Sequence, residues 1–221
     1  MSAIDPFPVL VWFGRFFTHD GYGSAAKMHV AALRAEGVPV VAADIGTRQI
    51  IGAYPEGLID VDRNAESLKI SARDPSRRMT AIVHDRPDQF SKFLAAGRSR
   101  LVGYSYWETP LLPPTWSGAL SSMDGVWTSS EFNRDGFAAS GVPKWMIETV
   151  GHPIDQTVIE VAASGVDLRT RWPERTVFLS VVSSTVGRRD LAMLFEAYAT
   201  AFDNSDDVAL VLKVPEKGAE K

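Results

Sequence analysis

Short apolar runs alternate with stretches of helical periodicity along most of this sequence. Val9–Phe13 is such a run, too brief for a helix and closed by Gly14, which predicts a buried strand. After the loop Arg15–Gly23, Met28, Val30 and Leu33 supply an apolar face that predicts a helix over Ser24–Glu36, stopped by Gly37. Val38–Ala43 predicts a second buried strand. Residues 44–78 carry weaker signals, with one strand near Leu58–Val61 among loops. The rhythm then resumes with strand Met79–Val83 ending at His84, helix Pro87–Ala96 opened by a proline, and strand Arg100–Tyr104. A proline-broken loop leads to a helix near Trp116–Ser122, strand Gly125–Thr128, helix Ser130–Ala139 ended by Gly141, and strand Trp145–Val150. Strands joined by helices over short links predict an α/β fold with a mostly parallel sheet covered on both faces.

The pattern lapses between Gly151 and Pro173, where GHPID opens an irregular stretch and the charged RTRWPER run ends it. Beyond lie strand Val177–Val182, helix Asp190–Phe202 and strand Val208–Val214, a single β-α-β unit. One such unit cannot cover both faces of its own sheet. It is expected either to dock on the first sheet or to open a second domain. The chain therefore reads as a first domain over 1–152, a linker over 153–175 and an incomplete second domain over 176–221.

Composition narrows the classes. The chain has 221 residues, 45% of them hydrophobic, which suits a folded globular protein rather than a disordered one. With 23 basic against 27 acidic side chains and a net charge of −4, it offers no electrostatic footprint for nucleic acid. The absence of cysteine excludes disulfide scaffolds, thiolate metal sites and thiol nucleophiles, and suits a reducing cytoplasm. No apolar run reaches the ~18–20 residues of a membrane helix. The start, MSAIDPFP, lacks the layout of a secretory signal. A cytoplasmic location is the expectation.

Chemistry concentrates at predicted strand ends, where open α/β sheets bind ligands. Asp20-Gly21-Tyr22-Gly23-Ser24 joins the first strand to the first helix, so the Gly21 and Gly23 amides could face a phosphate at a helix N-terminus. The same residues also make a tight turn with Ser24 as the helix cap. His84 ends its strand, placed either for proton transfer or hydrogen bonding to a substrate hydroxyl, or as a capping or loop histidine. His29 reads as a structural or surface residue of the first helix. Tyr106, Trp107 and Glu108 follow another strand; their rings suit sugar faces and the carboxylate suits hydroxyls, although aromatic residues also simply pack loops. Arg188, Arg189 and Lys213 suit a diphosphate, or a solvated charged face. No histidine or carboxylate spacing marks a metal site, and no cofactor is expected.

Four segments together resemble a known family. GRFFTHDGYGSAAKMHVAAL, VGYSYWETPLLPPTW followed by MDGVWTSSEFNRDGF, IETVGHPID, and FLSVVSSTVGRRDLAMLFEAYATAF are similar to the N-terminal part of GT-B glycosyltransferases of family 4, the glycosyl transferases group 1. The resemblance implies a Rossmann-like acceptor-side domain followed by the first β-α-β of a Rossmann-like nucleotide-sugar domain. It implies retaining transfer of a sugar from a nucleotide donor to a carbohydrate or other hydroxyl acceptor, without metal. On it, His84 lies beside the transferred sugar, Gly21, Gly23, Arg188, Arg189 and Lys213 hold the donor phosphates, and Tyr106, Trp107 and Glu108 orient the acceptor. The family's Glu-x7-Glu region has no counterpart in this sequence, which leaves open whether the chain acts alone. The alternative is a non-catalytic binding module that docks on a missing domain or another chain.

Overall fold

Seven strands line up in one sheet: β1 (Val9–Gly14), β2 (Val40–Asp44), β3 (Leu58–Asp60), β4 (Met79–His84), β5 (Arg100–Tyr104), β6 (Gly125–Thr128) and β7 (Ile147–Thr149). The structure, a computed structural model, describes residues 9–18, 20–46, 58–60, 79–93, 100–154, 167–182 and 190–214. The spatial order is β3-β2-β1-β4-β5-β6-β7, and every neighbouring pair is parallel. Helices α1 (Gly21–Ala35), α2 (Pro114–Ser121) and α3 (Glu131–Ala139) connect them, with a 3₁₀ segment over Pro87–Lys92.

Alternation along the strands builds two apolar layers. Val11 and Phe13 of β1 join Ala81, Val83, Leu101 and Val126 on one face, under Phe90, Trp116 and Leu120 of α2, and Phe137 of α3. Trp12 joins Ile82, Val102 and Tyr104 on the other face, under Ala26 and Val30 of α1. The molecule therefore has the Rossmann-like α/β architecture, a parallel sheet with helices on both faces. Gly103 is needed where β5 meets the 3₁₀ segment, because a Cβ there would run into the buried Phe90 ring.

Element ends depart from expectation for local reasons. α1 starts at Gly21 rather than Ser24, because the Asp20 carboxylate caps it and accepts the Gly23 N–H at 2.8 Å. The helix expected over Pro87–Ala96 is 3₁₀ from Pro87 to Lys92, with no side-chain cap at its start; residues 94–99 lie outside the described ones. α2 begins at Pro114, whose fixed φ suits a first turn. The strand expected from Trp145 shrinks to Ile147–Thr149, since Lys144–Met146 forms a 3₁₀ turn after Pro143.

The chain divides into two compact units, Met1–Asp155 and Gln156–Lys221. In the second, a single turn, α4 (Leu168–Arg171), is capped by Asp167. β8 (Thr176–Val181) pairs in parallel with β9 (Val208–Lys213). Tyr198 of α5 (Leu191–Ala201) and Phe202 pack on Phe178, with ring centroids 6.0 and 5.3 Å away.

Candidate functional site

The strand order reverses direction between β1 and β4, the place where open α/β sheets form a ligand crevice at their carboxyl ends. His84 ends β4 there, opposite Tyr104 on β5. Its ring is 0% exposed, and among the described residues neither nitrogen has a hydrogen-bond partner. Tyr104 stands edge-on to it at 4.4 Å between centroids, with Tyr22 at 5.6 Å, Trp12 at 5.7 Å, His29 at 6.0 Å and Tyr106 at 6.1 Å. Burial, and then the neighbouring His29 and His152, hold the His84 imidazole well below its ordinary titration range. It is neutral at pH 7, with one N–H to donate and one nitrogen to accept.

A polar knot lies behind it. The Tyr104 hydroxyl donates to the Val150 carbonyl at 2.9 Å, and its oxygen stands 3.1 Å from both His29 Nε2 and His152 Nδ1. The two imidazole nitrogens are 3.3 Å apart. Burial, and then His152, push His29 down to about 4, and burial also lowers His152. In front, Tyr22 and Tyr106 stack at 4.4 Å with 15° between planes. The Tyr22 hydroxyl donates to the Tyr106 carbonyl at 3.3 Å, and burial chiefly raises its phenol to about 12.

The glycine loop divides its tasks. A Cβ on Gly23 would meet the Arg15 and Thr18 carbonyl oxygens at 2.5 Å, so glycine lets the loop fold onto the helix start. The Gly23 amide donates to Asp20 Oδ1 at 2.8 Å. A Cβ on Gly21 would meet nothing nearer than the Tyr106 hydroxyl, at 3.7 Å. Arg15 makes a two-bond ion pair with Asp85, at 2.8 and 3.1 Å.

Trp107 is chiefly a packing residue. Its indole N–H donates to the Leu111 carbonyl at 3.1 Å, and its ring meets Trp116 edge-on at 4.7 Å. Asn133 clasps its backbone, accepting the Trp107 N–H at 3.3 Å and donating to its carbonyl at 2.6 Å. Glu108 is exposed. Lys213 is exposed at the end of β9 in the second unit, and Arg188 and Arg189 lie outside the described residues. Within the first unit Tyr106 therefore lies beside both His84 and Gly21, while Gly23 packs against the Arg15–Asp20 loop.

Sequence reasoning missed Trp12, Tyr22, His29, Tyr104 and His152. Period-two spacing held part of the signal, since Ile82 and His84, and Val102 and Tyr104, share one face of the sheet. Tyr22 and His29 stand seven positions apart, two turns along one side of α1.

No protein-family model matches the chain, and no curated protein matches it. Among solved structures it is similar to Anabaena Alr3699/HepE. In complex with UDP-glucose, that protein aligns with a TM-score of 0.61 at 10% identity, over 93% of this chain and 60% of the other. With UDP and glucose the values are 0.58, 11%, 93% and 61%. With UDP they are 0.54, 11%, 95% and 62%. The chain thus spans about 60% of the length of these structures, and the likeness is one of fold.

Proposed function

We propose that the chain is the acceptor-side portion of a retaining, GT-B type glycosyltransferase that uses a nucleotide-sugar donor. His84 carries this reading: a buried, neutral imidazole with neither nitrogen engaged among the described residues, at the switch point of a parallel sheet. A sugar offers hydroxyls that match one donor and one acceptor, and an apolar ring face that matches the stacked Tyr22 and Tyr106. The start of α1 suits the negative charge of a diphosphate. The fold likeness to a protein crystallised with UDP-glucose supports a nucleotide sugar as the ligand class.

In such a transfer the bond from the anomeric carbon to the diphosphate oxygen breaks. A new bond forms to the acceptor hydroxyl oxygen, whose proton passes to the departing diphosphate oxygen. Charge gathers on the departing diphosphate, where fixed donors stabilise it. Within the first unit the Gly21 amide is the proposed donor, and Gly23 acts by letting the loop close. Arg188, Arg189 and Lys213 are assigned to the diphosphate by the sequence resemblance alone. Tyr106 and Glu108 are proposed to orient the acceptor, with Trp107 holding their segment. The proposed reaction takes place in the cytoplasm and relies on these donors rather than on a metal.

Calorimetric titration of the chain with UDP-glucose, UDP, and GDP- and ADP-linked glucose tests this reading. Saturable heat is expected from at least one nucleotide sugar. His84→Ala is expected to weaken that affinity about tenfold or more, the scale of one lost buried hydrogen bond, at a temperature where the variant, whose melting the new cavity lowers, is still folded. Heat from none of them, with the fold intact, sinks the proposal.

A further inference from the structure

Asp85 follows His84 and is 3% exposed, yet no step above uses it. Its Oδ1 accepts Arg15 Nη2 at 2.8 Å and the Arg86 N–H at 2.7 Å, and its Oδ2 accepts Arg15 Nε at 3.1 Å. Arg15 opens the loop between β1 and α1, so the pair spans the switch-point crevice. From Arg15 the contacts run on toward the helix. The Thr18 hydroxyl lies 3.0 Å from the Arg15 carbonyl and 2.8 Å from Asp20 Oδ1, and Asp20 caps α1 through Gly23. The loop is also tied by the Phe16 N–H to Asp44 Oδ1 at 2.7 Å and by Arg15 Nη1 to Asp20 Oδ2 at 3.9 Å.

The end of β4 needs no such help, because β1 and β5 already hold it by ladder pairing. The ordering effect of the ion pair therefore falls on the loop. A two-bond guanidinium–carboxylate contact fixes orientation as well as distance. We propose that Asp85 is a positioning residue: acting through Arg15, it sets the β1–α1 loop and the first turn of α1 at a fixed place relative to His84.

Hydrogen–deuterium exchange on the full chain tests this with Asp85→Asn and Arg15→Ala. Asparagine keeps the shape but offers one acceptor oxygen where Asp85 serves three donor bonds. The amides of Phe16, Thr18, Gly23 and Ser24 are expected to exchange about tenfold faster or more relative to those of β5 and β6, over and above any general loss of stability from breaking a buried ion pair. Millimolar guanidinium should restore protection in Arg15→Ala and leave Asp85→Asn unchanged, which a general loss of stability would not produce. Unchanged loop exchange in both variants, or equal acceleration across the sheet, overturns the proposal.

A second arm rests on the nucleotide-sugar reading above. UDP-glucose is expected to bind Asp85→Asn about tenfold more weakly than wild type, the loss that follows when the binding-competent loop is populated about one part in ten. Wild-type affinity in that variant overturns the positioning role. If the wild type itself gives no heat, the nucleotide-sugar reading fails and loop exchange alone decides the role of Asp85.

Discussion

His29, on the buried side of α1, is 6% exposed, stacked on Trp12 with ring centroids 5.0 Å apart and 5.5 Å from the His152 ring. Protonating it places a charge in an apolar layer beside a second imidazole, which explains why it is held down to about 4. In the unfolded chain the same ring titrates near 6.5. Between those values the unfolded state binds more protons than the native one, so stability falls as pH drops from about 6.5 toward 4 and is retained in full above that window. The contribution of His29 is on the order of 3 kcal/mol, and His84 and His152, lowered in the same direction, add to the slope. Urea unfolding of the wild type at pH 7 and at pH 4.5 should show this loss, and His29→Gln should flatten it. An equally steep pH dependence in the variant would assign the effect to other groups.

At the scale of elements, the two glycines of the first helix make a contrast that can be measured. Gly23→Ala places a methyl 2.5 Å from two backbone carbonyl oxygens, so the loop must lift off the helix start and the Asp20 cap must open. A cost of about 1–3 kcal/mol is expected, the usual range for overpacking with backbone shifts. Gly21→Ala meets nothing closer than 3.7 Å and should change stability by no more than about 0.5 kcal/mol. Chemical denaturation of the two variants checks this, and equal losses would show that the close carbonyl contacts are not what selects glycine at position 23. The same elements mark how far sequence reasoning reaches. β1, β2 and β4 to β6 were legible because burial on both faces writes them as short apolar runs. The ends were less so: Asp20 took the cap expected of Ser24, and prolines reshaped the starts of the 3₁₀ segment and α2. Of the site, His84 stood out as a polar residue ending an apolar strand. The Arg15–Asp85 pair left no local mark, since its partners are 70 positions apart and meet only once β1 and β4 lie side by side.

At the scale of the whole molecule, the two units differ in what they bury. Met1–Asp155 closes an apolar layer on each face of its seven-stranded sheet with its own helices. Past residue 155, Val182 is the one buried apolar side chain among the described residues. Leu179 and Val181 are each 55% exposed and Met193 is 63% exposed, on a two-stranded sheet with one helix packed against it. A two-stranded sheet is marginal in water without more cover, whereas a doubly covered sheet carries its own core. The second unit is therefore expected to open first, as a sub-global step below the main transition. Trp172 is the only tryptophan beyond residue 155, against five before it, so tryptophan fluorescence can separate the steps. In urea, the signal lost on Trp172→Phe should belong to an earlier transition than the signal that remains. A fragment ending at Asp155 should melt cooperatively near the later transition of the full chain. A single transition shared by all six tryptophans, or a fragment that fails to melt cooperatively, would show that the core of the first unit depends on the second.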